Sequence, residues 1–149
     1  MISLTDFVAK TAATKRIGFA DVQRLQRDIL PDGIGSREEV EQLVALERRV
    51  GHADAAWSAW LVTHLVEFVV WTERPTAVVT EETARWLAAT LYGAKSARSA
   101  RAARLVVRGI LEEVHAFENE ALSVLAAIAG PSSPKRGALQ TESAAQIGA

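Results

Sequence analysis

The sequence predicts an all-α fold of five to six helices, in which two helix–loop–helix units carry a long C-terminal helix. Three observations lead there. Apolar residues recur at intervals of three and four almost throughout, and no stretch alternates as a half-buried strand does. Stop and start signals come in pairs, as in "PDGIGSREE". The chain has 149 residues, 49% of them hydrophobic, which is enough to enclose one core. Residues 1–130 are read as a single helical domain. The small, polar stretch 131–149 is read as a flexible tail.

A short amphipathic helix is expected over Leu4–Ala12 and a second from Phe19 to Leu30, with Val22, Leu25, Ile29 and Leu30 on its apolar side. Pro31, Asp32 and Gly33 stop it. Ser36 and Glu39 form a capping box that opens a third helix through Val50, with Val40, Leu43, Val44, Leu46 and Val50 as its stripe. The next, Asp54–Thr72, is apolar on nearly all sides and reads as the buried central helix. Thr80 caps a fifth that runs to Leu91 or Tyr92. After Gly93 a long helix is expected from Ser96 to Ala129, bent near Ala116–Asn119.

An echo appears when the chain is shifted by 44 residues: "GIGSREEVEQLVAL" lies over "AVVTEETARWLAAT", matching Ser36 with Thr80 and Leu43 with Leu87. Each copy reads helix, short loop, hydroxyl cap, acidic first turn, helix. The loops of such a pair face one another, with Ile34–Gly35 beside Val78–Val79.

With Gly33 at the sixth place of a twelve-residue calcium loop, Asp28, Asp32, Ser36 and Glu39 fall at ligand places one, five, nine and twelve. Leu30 takes the third place, where an oxygen is wanted. The second copy has Thr72, Arg74, Thr76 and Thr83 at ligand places and Ala77 at the sixth, with no carboxylate there, and is not expected to bind calcium. The first loop is read chiefly as a turn and cap, and alternatively as a weak single calcium site. No cofactor is expected, apart from calcium held weakly in that loop.

The arrangement resembles a degenerate EF-hand-like helix–loop–helix pair. Through "DG-x-x-S-x-x-E", the second "VVTEE" start and the buried helix between them, Phe19–Val114 resembles the tellurite-resistance TerB-like proteins. The resemblance implies a small, all-helical bacterial module linked to acidic, metal-responsive sites and stress-response assemblies. The second acidic cluster has no counterpart here.

Other constellations are partial. Glu112 and His115 have the Glu-x-x-His spacing of bundle metal sites, while His64 and Glu67 carry the reverse order, so a metalloenzyme centre is a further alternative. Lys95, Arg98, Arg101, Arg104 and Arg108 make a basic stripe with Glu112, Glu113, Glu118 and Glu120 behind it. That stripe is read as pairing with the acidic helix of Glu38, Glu39, Glu41 and Glu47, or as a docking surface for an acidic protein or, as the lesser alternative, nucleic acid. Trp57, Trp60, Trp71 and Trp86 are placed in the core. With no cysteine, thiolate chemistry and disulfides are out of reach, and a net charge of −1 disfavours nucleic acid. Neither a secretory signal nor a membrane span is apparent, so a cytoplasmic location is expected. The expectation for function is a non-catalytic interaction or scaffold module that binds a protein partner or itself.

Overall fold

In the computed structural model, which describes residues 2–129, the chain is helical and no helix is long and apolar enough to cross a membrane. The proposed tail 131–149 lies outside the described residues. Helix α1 (Leu4–Thr14) starts where the Ser3 Oγ accepts from the Asp6 N–H at 3.1 Å, and it ends at Lys15 in the left-handed conformation. A two-residue strand, β1 (Arg16–Ile17), leads into α2 (Phe19–Arg24). That helix runs on into one wide turn (Leu25–Ile29), in which the Leu30 N–H reaches back five residues to the Leu25 carbonyl at 2.8 Å. Then come α3 (Arg37–Arg49), β2 (His52–Ala53) and α4 (Ala55–Glu67). A second wide turn (Phe68–Thr72) closes α4, followed by β3 (Val78–Val79) and α5 (Glu81–Leu91). Helix α6 (Ala97–Glu113), β4 (Ala116–Phe117) and α7 (Ala121–Ile128) complete the order.

The expected single helix from Ser96 to Ala129 is therefore two helices, and seven helices stand among the described residues where five to six were expected. Backbone bonding across the chain explains the break. The Ala77 carbonyl accepts from the N–H groups of His115 (2.8 Å) and Ala116 (3.3 Å), and the Val79 carbonyl accepts from Glu118 (2.9 Å). These bonds replace the intrahelical ones lost where Val114 turns extended and Asn119 turns left-handed. Apolar spacing records side chains, so it carries no trace of such a tie.

The strands pair in parallel as β1–β2 and β3–β4, with Ile17 opposite Ala53 and Val79 opposite Phe117. Both pairs are built alike: the left-handed Lys15 offers its carbonyl to Gly51 (3.0 Å) and His52 (3.3 Å) as Ala77 does to its partners. Val78–Val79 takes Ala116–Phe117 as its strand partner, a pairing that the echo does not announce.

The echo itself holds in the local geometry. Wide turns end α2 and α4, Gly33 and Ala77 are both left-handed at φ 82° and 65°, and Ser36 and Thr80 are both hydroxyl caps. Helices α3 and α5 lie side by side in one direction, since Arg37 meets Glu82, Glu41 meets Trp86 and Arg48 meets Thr90. Helix α4 is the centre, with Trp57, Trp60, Leu61, Leu65 and Val66 buried. Truncating a fully buried tryptophan such as Trp57 to alanine costs about 3–5 kcal/mol. Helix α6 packs tightly on α4: a Cβ on Gly109 would sit 2.6 Å from Val66 Cγ2, so only glycine permits that approach.

Candidate functional site

Ser96 opens α6 by accepting from the Ser99 N–H at 3.0 Å, and the basic stripe then divides. Arg98 turns inward. Its Nε donates to both oxygens of Glu47 (3.2 and 3.1 Å), and its Nη2 to the carbonyls of Glu47 (2.9 Å) and Val50 (2.8 Å). Glu47, only 4% exposed, also accepts from the Trp57 indole at 2.8 Å and from the Ser99 hydroxyl. This charge is paired, hydrogen-bonded and locked to three helices, which is how a buried carboxylate is tolerated. Of the expected pairing between stripe and acidic helix, this one contact is realised.

Lys95, Arg101, Arg104 and Arg108 remain exposed. Among the described residues Arg108 has one acidic neighbour, Glu112 at 3.6 Å on its own helix, and Arg101 and Arg104 have none. Arg101, Leu105, Arg108 and Glu112 form one wall of a groove of about 750 Å³, with Ala59 and Val62 of α4 opposite. Small and apolar residues of both helices share its lining with Ser58 and Thr63 of α4 and with three arginines and Glu112 of α6.

The Asp28–Glu39 loop is organised around backbone. Asp28 lies in the wide turn and Asp32 at the bend after it, both exposed. The Ser36 Oγ accepts from the Glu39 N–H at 3.2 Å, while Glu39 Oε1 accepts from the Gly35 N–H at 2.7 Å. Two of the four proposed ligands thus serve the helix start. Gly33 lies over α4, where a Cβ would come within 3.0 Å of His64 Cδ2 and 3.7 Å of Glu67 Oε1. Among the described residues no three carboxylates or imidazoles converge as a metal site requires.

His64, Glu67, Glu112 and His115 are divided among separate contacts. His64 stacks on Trp60 at 4.4 Å and donates from Nδ1 to the Trp60 carbonyl at 2.8 Å. The carbonyl can only accept, so the proton is on Nδ1. His115 stands edge-on to Trp71, their rings 6.0 Å apart, while Glu112 lies in the α4–α6 groove. The tryptophans also divide. Trp57 and Trp60 are core, whereas Trp71 is 43% exposed and donates to Glu113 at 2.8 Å. Trp86 is half-buried and donates to Glu41 at 2.8 Å. An indole keeps its N–H at the surface when its acceptor is there.

Sequence reasoning missed a second ionic centre. Arg37 forks onto Glu73 (3.0 and 2.7 Å) and onto Glu82 (2.7 and 2.7 Å), with its guanidinium carbon 4.7 Å from the Trp86 ring centroid. Donating to the two carboxylates of Glu82 and Glu73 pushes the guanidinium still further above its ordinary value, and the Arg37 hydrogen bond holds Glu82 below the ordinary carboxylate value. The clamp ties the starts of α3 and α5 to the segment after α4. No spacing within one helix announces it. Glu47 did leave a signal: four residues after Leu43 and three after Val44, it falls on the apolar stripe of its own helix.

Both ionic centres have structural work within the fold, whereas Arg101 and Arg104 on the outer face of α6 are exposed and have no ion-pair partner among the described residues. Compared with known proteins, the chain matches no family model, no curated protein and no solved structure.

Proposed function

We propose that this chain is a non-catalytic interaction module that docks another protein surface through the outer face of α6. One observation carries the reading: Arg98 is drawn into the fold by Glu47, while Arg101, Arg104 and Arg108 stay on the surface, two of them lining a groove they share with Ala55, Ala59, Val62 and Leu105. Exposed cations beside apolar surface, Arg108 held only by Glu112 of its own helix, favour a protein partner, because phosphates alone have no use for the apolar part. The pattern-level resemblance to TerB-like helical modules points to the same class of role.

The test compares the full chain with the triple variant R101E/R104E/R108E as baits in extract of the native host. Any captured protein is then purified and rebound. Expected is a protein held by the parent chain and lost with the triple variant, with helical content unchanged by circular dichroism. Equal capture by both baits, or tight salt-sensitive binding of duplex DNA in place of any protein, overturns the reading.

A further inference from the structure

Arg98, Arg101, Leu105, Arg108 and Glu112 all line the groove beside α4. Their spacing is three, four, three, four. That is the spacing with which a helix keeps one seam against a second helix over several turns. Among the described residues nothing covers it: Arg101, Arg108 and Glu112 are exposed and Leu105 is half-buried. Charge along the seam has a direction. Beyond Arg98, which Glu47 neutralises, it runs from Arg101 through Arg108 to Glu112, and Arg101 and Glu112 are about 16 Å apart at 1.5 Å per residue.

A helix graded in that way complements its own reverse. We propose that two copies of this chain pair antiparallel through α6, with Arg101 of each facing Glu112 of the other. The proposal rests on the reading of α6 as the contact surface and names its occupant. In the register that joins 101 to 112, 105 meets 108, so the stem of each Arg108 covers Leu105 of the second copy while its head stays in water. Glu112 then sits between Arg108 of its own chain, 3.6 Å away, and Arg101 of the other. Across the groove, Ala55, Ala59 and Val62 of α4 leave room for the incoming helix. The result is a closed two-fold pair of four helices, α4 and α6 from each copy, with no open end to propagate. A uniformly acidic partner fits less well, because Glu112 on the same seam repels it. The same carboxylate disfavours a nucleic-acid backbone.

Sedimentation velocity of the full chain over micromolar to near-millimolar concentration tests the pairing. Expected is a monomer–dimer equilibrium in which R101E and E112R each weaken association about tenfold or more, as close opposed charges do across interfaces. The double variant R101E/E112R, which restores opposite signs, is expected to return to within about threefold of the parent. Both positions are exposed, so folding is retained. A parent chain that stays monomeric throughout overturns the pairing, and so does a dimer indifferent to R101E. A monomer whose captured host protein is nevertheless lost in R101E/R104E/R108E overturns the pairing and leaves the broader reading of α6 standing.

Discussion

Arg98 and Glu47 form the one ion pair among the described residues in which the carboxylate is buried: Glu47 is 5% exposed at the side chain and Arg98 26%. Removing Arg98 leaves that charge buried beside Trp57 and Ser99 with only neutral donors. Arg98→Ala is expected to cost about 3 kcal/mol in urea unfolding, at the low end for a broken buried pair because Arg98 keeps some contact with water. Replacing both, as Arg98→Met with Glu47→Leu, is expected to cost less than either single change. A double variant as unstable as the sum of the two singles would refute the coupling.

Ala77 and Gly33 hold equivalent left-handed positions with unequal side chains. Alanine carries a steric penalty there of about 1–2 kcal/mol that glycine lacks, against a glycine entropy cost of about 0.5–1 kcal/mol. Ala77→Gly is therefore expected to stabilise the chain by a few tenths to about 1 kcal/mol. Gly33→Ala is expected to destabilise it, since the added methyl also meets His64 Cδ2 at 3.0 Å. Thermal unfolding of both variants checks the signs.

Gly109 sets the distance between α4 and α6. Alanine there raises helix propensity by about 1 kcal/mol, yet its Cβ would lie 2.6 Å from Val66 Cγ2. Overpacking is expected to win, with a net loss of about 1–3 kcal/mol by denaturant titration. In a Val66→Ala background the same change is expected to be neutral or stabilising.

Arg37 and Glu82 tie stability to pH. Glu82 is held below its ordinary value of 4.5 in the folded chain, chiefly by the Arg37 hydrogen bond. The folded state then binds a proton less readily than the unfolded one. The contribution is present above the unfolded value and is lost as pH falls through the folded value. Melting temperature is expected to drop between pH 5 and about pH 3 more steeply in the parent than in Arg37→Gln. Parallel curves would show that the clamp is not the source.

Much of the fold was readable in the residues. Ser36 and Thr80 read as caps from the sequence, and each accepts from a backbone N–H in its first turn, as Asp54 does at the start of α4. The stripe of α3 is buried as its spacing required. What escaped was held by backbone or crossed the chain. β1 and β2 join residues 36 apart through N–H and C=O groups that every residue carries, and the break after Glu113 answers to Ala77. The candidate surface was half readable: four arginines of one helix and Lys95 before it can be counted, but their direction depends on Glu47, whose burial turned Arg98 inward and left Arg101, Arg104 and Arg108 outside.

The two strand clips have a topological consequence. One closes the chain between Ile17 and Ala53, the other between Val79 and Phe117, and the two rings follow one another without interlocking. The passage between them, residues 54–77, belongs to neither ring, and Glu73–Thr76 is its non-helical stretch after the second wide turn. A cut or an insertion there leaves both closures intact within their own fragments, whereas one at Gly35 or Gly93 opens a ring. The chain is wound as two successive knots-that-are-not, a first and a second loop drawn shut, which are then held together by α4 lying against α6 and α3 against α5.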